Sequence, residues 1–366
     1  VFSFTSEAIA SHFDFVRLAS MISENASGCC AHLWVTTRPT PPAPMIRTFF
    51  AILKPPCRNG VSVCLPLHRA TGKLALAEAE DFWRDSAMLS YQHAYHAGNF
   101  ADVHKHVALC LLLEALRRKE KPFFVLDAYA GRGLYDLNSP ESAKTGEYTG
   151  GIGRLADAAD ARPALAPYLA ALKACEARHP GHYPGSPWLI LHGLRPQDRM
   201  ACCELHPAEF DALRAHVGGL RRVALHRRDG LEAMRALLPP KERRGLLLID
   251  PSYEVKREYG QVAKAVIACH RHWREGMLAI WYPLLPAGHH AALLDALRAS
   301  GVRKILDSRL IVGTPGGERG MHGSGMLVVN PPWGFSGELG EALRYLAGRL
   351  GRDKSAQGIV KWLVTE

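Results

Sequence analysis

The chain has 366 residues, 48% of them apolar, which is enough for one large domain or two small ones. Its net charge of +10 favours an anionic partner such as nucleic acid. No apolar run reaches the roughly 18 residues of a membrane span, and the nine cysteines show no paired C-x-x-C pattern, which suits reduced thiols in the cytoplasm.

The first 87 residues differ in pattern from the rest of the chain. They lack sustained hydrophobic periodicity and contain a proline-rich run at Pro39–Pro44. They hold 8 Lys or Arg and 7 Asp or Glu, so residues 88–366 keep a net charge of +9. We expect residues 1–87 to be an over-extended start or a disordered leader, the alternative being an accessory domain. The functional domain is expected to span residues 88–366.

The segment Ser90–His106 is dense in histidine, tyrosine and charged residues. A helix is predicted from an N-cap at Asn99 to Leu116. The histidines lack the spacing of the usual zinc sites, so no metal is expected. An alternative is a polar, solvated helix start. The side chains that could contact a cofactor or a nucleic acid are Tyr91, Tyr95, Lys105 and His106.

Four predicted strands are each followed by an acidic residue. The strands are Phe123–Leu126, Met200–Cys203, Val223–His226 and Leu246–Ile249, and the acids are Asp127, Glu204, Asp229 and Asp250. The carboxyl ends of parallel strands share one edge of a sheet, where ligands bind. Tyr129 lies in a glycine-containing loop after the first strand, and this loop lacks the third glycine of the NAD fingerprint. The pattern is the one expected for S-adenosylmethionine; each acid alone could be a helix cap.

A small helical insertion is predicted at about residues 137–184, before the second of these strands. Arg154–Arg178 is rich in alanine and leucine, and prolines at 163 and 167 are expected to break it. The insertion is too small for a large DNA-recognition domain. The turn Tyr183–Pro187 then opens a helix, from which Ser186 could reach a ligand.

The buried strand Leu246–Ile249 runs into Asp250-Pro251-Ser252-Tyr253. This is close to the Asp/Asn-Pro-Pro-aromatic signature of enzymes that methylate an exocyclic amino group of a base. An adenine N6 is a poor nucleophile, and two acceptors for its N–H bonds localise its lone pair. Asp250 and the Pro251 carbonyl are the candidate acceptors, and Tyr253 is the candidate platform for an extruded base. A plain strand-ending turn is the alternative.

A second stretch, Asn330–Trp333, fits the signature more closely but follows a different kind of strand. The predicted strands Lys304–Val312 and Met326–Val329 are joined by a loop too short for a helical crossover. The last strand is therefore predicted to be antiparallel and to end away from Asp250. We interpret Asn330–Trp333 as a structural turn.

A further strand is predicted at Leu278–Trp281, which brings the number of predicted strands to seven. Helical stretches separate the early strands. The predicted fold is α/β, a doubly wound Rossmann-like class I methyltransferase sheet with an antiparallel last strand.

From Met88 to its end the chain resembles the RlmJ family, the N6-adenine methyltransferases of 23S ribosomal RNA. The stretches that carry the resemblance include Met88–Tyr91, His96–Asn99, Tyr183–Pro187, Glu204–Pro207, Asp229-Gly230, Ile249–Pro251 and Trp281–Pro283. The resemblance implies that the cofactor is bound by His106, Ser186, Glu204, Asp229, Gly230 and Asp250. It also implies that Asp250 is catalytic and that Tyr91 contacts RNA.

Two positions depart from the family pattern. Tyr129 stands where a histidine is expected in the first cofactor loop, and it can still stack or donate a hydrogen bond. Ser252 replaces the second proline and leaves the Pro251 carbonyl in place.

The expected function is methyl transfer from S-adenosylmethionine to N6 of a specific adenine in 23S rRNA, naked or as an early precursor. The chain is expected to act as a cytoplasmic monomer without metal or membrane. Two alternatives stay open: a DNA adenine-N6-methyltransferase, and a catalytically silent nucleic-acid-binding protein of the same fold. The small insertion counts against the first, and intact Asp250 and Glu204 count against the second.

Overall fold

A computed structural model gives the structure of the protein. It describes the backbone of three strands before residue 68, and then residues 93–156, 160–316 and 320–365. The chain divides into two compact units, Val1–Asp85 and Ser86–Glu366. The first unit contains an antiparallel sheet in the order β1 (Cys30–Thr36), β2 (Thr48–Lys54) and β3 (Val63–Leu67). These strands are not predicted from the sequence, and the assignment of residues 1–87 as a leader stays a prediction.

The second unit is built on a sheet of eight strands, with a separate two-stranded ribbon. All seven predicted strands form, with ends that differ by a few residues. The eight are β4 (Phe124–Asp127), β7 (Arg199–Cys203), β8 (Val223–His226), β9 (Gly245–Ile249), β10 (Met277–Leu284), β11 (Ile305–Ile311), β12 (Gly323–Val329) and β13 (Gln357–Val364). The predicted count of seven is wrong by one, because β13 adds an edge strand after the last predicted one.

The sheet has the order β13-β11-β12-β10-β9-β4-β7-β8. The strands from β10 to β8 run parallel to one another. The strand β12 lies antiparallel between β10 and β11, which confirms the predicted hairpin. The extra strand β13 pairs antiparallel with β11. The carboxyl ends of β4, β7, β8 and β9 therefore meet at one edge of the sheet.

Helices cover both faces of this sheet, as a doubly wound fold requires. One apolar cluster contains residues of α1 (Phe100–Arg117), α4 (Ser186–Gly193), α5 (Pro207–Val217) and α9 (Phe335–Leu350). The other contains residues of α6 (Gly230–Leu237), α7 (Glu258–His272) and α8 (His290–Arg298). Strand β9 serves both clusters: Leu246 and Leu248 face the first, and Leu247 and Ile249 face the second. Its continuous apolar run follows from burial on both faces.

The helix α1 begins where the sequence predicts. The Asn99 side chain accepts hydrogen bonds from the backbone N–H groups of Ala101 and Asp102, which is a standard N-cap. The alternative of a polar, solvated helix start is wrong, because His104, Lys105 and His106 are all buried.

The insertion folds as short helical elements beside the ribbon of β5 (Leu134–Asp136) and β6 (His182–Pro184). Its helices are α2 (Pro140–Thr145) and α3 (Ala166–Arg178). Pro167 does not break a helix as predicted; it lies in the first turn of α3, where a missing N–H costs nothing. Among the described residues, no helix has the length and apolarity to cross a bilayer.

Candidate functional site

A cavity of about 590 Å³ opens at the carboxyl ends of the parallel strands. All the residues predicted to bind the cofactor or to act in catalysis line it. These are His106, Tyr129, Ser186, Glu204, Asp229, Gly230, Asp250, Pro251 and Tyr253. Tyr91 lies outside the described residues, so its role stays a prediction. The acids that follow β7, β8 and β9 thus reach one site, as the topology of the sheet requires.

The Asp250 carboxylate is paired with a buried lysine. Lys105 Nζ donates to Asp250 Oδ2 at 2.5 Å and lies 2.8 Å from Asp102 Oδ1. Burial alone would lower the pKa of Lys105, but Asp102 and Asp250 outweigh it and raise that pKa. The ammonium is therefore held charged next to Asp250. Lys105 is predicted from the sequence only as a possible ligand contact, because its pairing with Asp250 spans 145 positions.

Asp102 holds the Lys105 side chain in place. Its Oδ2 accepts hydrogen bonds from His93 Nε2 and from the Gly98 N–H, both at 2.9 Å. Burial would raise the pKa of Asp102, yet His93 and Lys105 hold it well below its usual range. A buried carboxylate with a full set of donors is a stable counter-ion. Asp102 therefore fixes the position from which Lys105 reaches Asp250.

Tyr253 is held in a constrained position. Its backbone has a φ of 53°, in the left-handed region that non-glycine residues rarely adopt. Its hydroxyl donates to the Trp281 carbonyl at 2.9 Å. Its ring stacks on Tyr259, with the centroids 4.2 Å apart. One face of the Tyr253 ring is therefore already covered inside the protein.

A hydrogen-bond chain beneath Trp281 passes through His104. Trp281 Nε1 donates to Ser324 Oγ at 3.0 Å, and Ser324 Oγ lies 3.0 Å from His104 Nδ1. On the other side, His104 Nε2 lies 3.2 Å from Ser308 Oγ, which donates to the Met326 carbonyl.

The His104 ring is neutral, because burial lowers its pKa to about 3. A neutral imidazole has one N–H and one acceptor nitrogen, so it can donate to one of its serine neighbours and accept from the other. The Ser308 hydroxyl also donates to the Met326 carbonyl.

The acids that follow β7 and β8 make different contacts. Glu204 accepts from the Gly131 N–H at 2.9 Å and the His206 N–H at 2.7 Å, and burial raises its pKa. Asp229 caps α6 by accepting from the Glu232 N–H at 2.9 Å. Gly230 permits a close approach: a Cβ there would meet the Ala128 carbonyl oxygen at 2.0 Å. Together they place two carboxylates and a helix start around the cavity.

Buried groups near the cavity that have unused hydrogen-bonding capacity among the described residues include His106, Asp127 and Glu258. His106 Nδ1 lies 2.8 Å from the Tyr183 hydroxyl, but its Nε2 has no partner. Burial lowers the pKa of His106 to about 3, so its ring is neutral. Burial also raises the pKa of Asp127 to about 7, and neither carboxylate oxygen has a hydrogen bond of good geometry. Buried polar groups normally find partners, so this set of atoms fits a polar ligand.

The second motif has a structural role. Asn330 Nδ2 donates to the Arg274 and Gly276 carbonyls at 2.7 and 2.9 Å, which ties it to the start of β10. This is the end of the sheet opposite Asp250, since Val329 pairs with Leu278. Trp333 is 93% exposed. Within the described ranges, no group of three or more His, Cys, Asp or Glu residues is arranged to hold a metal.

Comparison with known proteins gives consistent matches. A family model described as "Ribosomal RNA large subunit methyltransferase D, RlmJ" matches residues 120–364. Ribosomal RNA large subunit methyltransferase J of Haemophilus influenzae is 43% identical over 281 residues, which is 76% of this chain and 100% of that protein. The protein of the same name from Escherichia coli is 38% identical over 280 residues, with the same coverage. A crystal structure of a Legionella pneumophila protein matches with a TM-score of 0.68 and 34% identity, covering 73% of this chain and 98% of that one.

Proposed function

We propose, from the premise that this chain belongs to the ribosomal RNA large subunit methyltransferase J family, that it methylates N6 of an adenine in 23S rRNA. One observation carries the proposal. Asp250 and the Pro251-Ser252-Tyr253 turn open into the same cavity as the acids that follow the neighbouring parallel strands. A methyl donor and a base can therefore be held side by side.

The residues of the cavity fit S-adenosylmethionine. Glu204 has the position of a ribose acceptor, and Asp229 that of an acceptor for the adenine amino group of the cofactor. Ser186 and the unpartnered Nε2 of His106 would bind its other polar groups, and Tyr129 would stack or donate a hydrogen bond. Bound there, the cofactor supplies an electrophilic methyl group on a sulfonium.

The substrate adenine would be activated by Asp250. An ionised carboxylate accepts one N6–H bond and the Pro251 carbonyl accepts the other, which localises the nitrogen lone pair. Lys105 Nζ lies 2.5 Å from Asp250 Oδ2, so this ion pair fixes the carboxylate beside the cavity. Tyr253 would stack the extruded base on the ring face that Tyr259 does not cover. Tyr91 is the proposed further contact to RNA.

RNA is preferred over DNA as the substrate for two reasons. The names of both curated relatives refer to ribosomal RNA of the large subunit. The insertion between β5 and β6 is short and consists of small helices that pack on the catalytic unit. A catalytically silent binding protein is disfavoured, because Asp250, Lys105 and Glu204 keep their places in the cavity.

The test is methyl transfer with labelled S-adenosylmethionine. The full chain would be incubated with 23S rRNA, with a short rRNA hairpin and with duplex DNA of matched sequence. We expect label in the RNA only, recovered as N6-methyladenosine after nuclease digestion and mass spectrometry. Methylated DNA with unmodified RNA would overturn the RNA assignment. In cells that lack the protein, one N6-methyladenine of 23S rRNA should disappear.

A further inference from the structure

A shallow basic groove lies beside the catalytic cavity, between the end of α9 and the start of β13. Its exposed cations are Arg344, Arg352 and Lys354. Arg352 lines both the groove and the cavity, so the two adjoin at this residue. This position is outside the set of residues that hold the cofactor or the target base.

The cations of the groove are available to a ligand. Arg344 and Lys354 make no ion pair with any carboxylate in the part of the chain that the structure describes. Arg352 also has no ion pair there; its guanidinium lies over the Phe100 ring, 5.1 Å from the centroid. Phe100 is the first residue of α1, the helix that carries Lys105. Three positive charges therefore lie in the groove without an ion-paired carboxylate among the described residues, and Arg352 also lines the cavity.

The acid of the groove is occupied within its own loop. Asp353 Oδ2 accepts from the backbone N–H and the hydroxyl of Thr314, both at 2.9 Å. Its Oδ1 accepts from the Ser355 N–H at 2.8 Å and the Ser355 hydroxyl at 2.6 Å. The Ser355 and Thr314 donors lower the pKa of Asp353. The carboxylate thus organises the loop; it stays ionised and offsets one of the positive charges of the groove.

The negative end of the α9 dipole is also compensated. The last carbonyls of a helix carry partial negative charge, which would repel an anion. Arg154 Nη1 donates to the Gly351 carbonyl at 3.0 Å and lies 3.5 Å from the Arg349 carbonyl. This contact adds a fourth positive charge at the same place and stabilises the loop.

We propose that this groove binds the phosphodiester backbone of the substrate RNA next to the extruded adenine. The inference rests on the proposed function, since it names how that substrate is held. RNA backbones are bound by arginine and lysine side chains at fixed positions, and unpaired loops are the segments that proteins usually recognise in RNA. A groove that adjoins the cavity at Arg352 suits the nucleotides that flank the target base.

Gly348 offers a sharp test. It is exposed on α9, lines the groove, and a Cβ there would meet nothing within 4 Å. Gly348→Glu and Gly348→Gln should both fold, since either residue is a better helix former than glycine. They have nearly the same shape and differ in charge. We expect the Glu variant to bind a fluorescein-labelled hairpin RNA on the order of tenfold more weakly than the Gln variant, by fluorescence anisotropy.

A second pair of variants removes charge instead of adding it. Arg344→Ala with Lys354→Ala should reduce the slope of log affinity against log salt by about 1.5, because two phosphate contacts are lost. The control, Lys264→Ala with Arg303→Ala, removes two exposed cations elsewhere and should leave the slope unchanged. The KM for RNA should rise in the groove variant, while kcat and cofactor affinity stay the same.

Anisotropy separates the two proposals, because it reads binding without methyl transfer. If the groove variants bind RNA as their controls do while the native chain methylates it, the groove assignment fails and the function stands. If the native chain methylates no RNA but the groove variants lose RNA binding, the groove stands and the function fails.

Discussion

Asp250 and Asn330 each follow a strand of the same sheet, but their surroundings give them different roles. We predict that Asp250→Ala folds and lowers turnover about 10²–10³-fold, the usual cost of losing one aligned polar group at a reacting centre. Asn330→Ala should keep its turnover and lose about 1–3 kcal/mol of stability, because two carbonyls lose their donor and the left-handed backbone (φ 54°) favours asparagine. Urea unfolding and methyl incorporation would be measured for both. Normal turnover in the Asp250 variant would contradict the assignment.

Asp127 should make stability depend on pH. Burial raises its pKa from 3.8 to about 7 in the folded state. Below pH 3.8 both states are protonated; between pH 3.8 and about 7 the unfolded state ionises first, so the folded state loses stability as pH rises. The polar and charged neighbours of the Asp127 carboxylate are Ser186, Lys105 and Asp250.

Asp127→Asn removes this loss. Its advantage in free energy of unfolding over the native chain should grow between about pH 4 and 7 and then level off on the order of 2–4 kcal/mol. Denaturant titrations at several pH values, without cofactor, would measure it. A difference that is constant with pH would show that Asp127 keeps its ordinary pKa.

The acids of the cavity could be located from the chain alone, because each follows a short apolar run and parallel strands end at one edge. The Lys105–Asp250 pair could not. It depends on how α1 packs across the sheet, and its partners are far apart in sequence. The same holds for His93, whose contact with Asp102 depends on a short turn before α1.

Three adjacent residues of helix α1 contact three different partners. His104, Lys105 and His106 contact Ser324, Asp250 and Tyr183, respectively. We predict that His104→Leu costs about 2–4 kcal/mol, because buried serine hydroxyls lose their partners. It should also lower kcat without changing cofactor affinity, since Trp281, which holds the Tyr253 hydroxyl, loses its support.

The matched variant is His104→Gln, whose amide can both donate and accept. It should recover part of the stability and of kcat. Calorimetric titration with cofactor and steady-state kinetics with RNA would separate the two effects. Full kcat in a destabilised His104→Leu variant would limit His104 to a structural role.

The strand β13 could not be predicted from the apolar pattern of the sequence. Gly358–Val364 contains β-branched and aromatic residues typical of a strand. It is a half-exposed edge strand with Lys361 and Trp362 exposed, so it lacks the buried apolar run by which the central strands are recognised. The hairpin of β11 and β12 was predictable, because a short loop allows no other connection.

The described site residues belong to the second unit, which begins at Ser86. We predict that a chain beginning at Met88 keeps the melting temperature and methyl-transfer activity of the full chain within a few degrees and about twofold, since it retains the core of that unit. Thermal melts and kinetics of both chains would be compared. A large loss of either property would assign residues 1–87 a structural or functional role.

Two tryptophans differ in their exposure to solvent, and this difference bears on the intrinsic fluorescence of the protein. Trp333 is 93% exposed at one end of the sheet, whereas Trp281 is half-buried and lines the cavity at the other. Indole emission depends on solvent contact and is quenched by a stacked base. Trp333→Phe should therefore remove a constant, iodide-accessible part of the fluorescence. The change in the remaining emission when an adenine enters the site would then come from Trp281, the described tryptophan that lines the cavity, and no attached dye is needed.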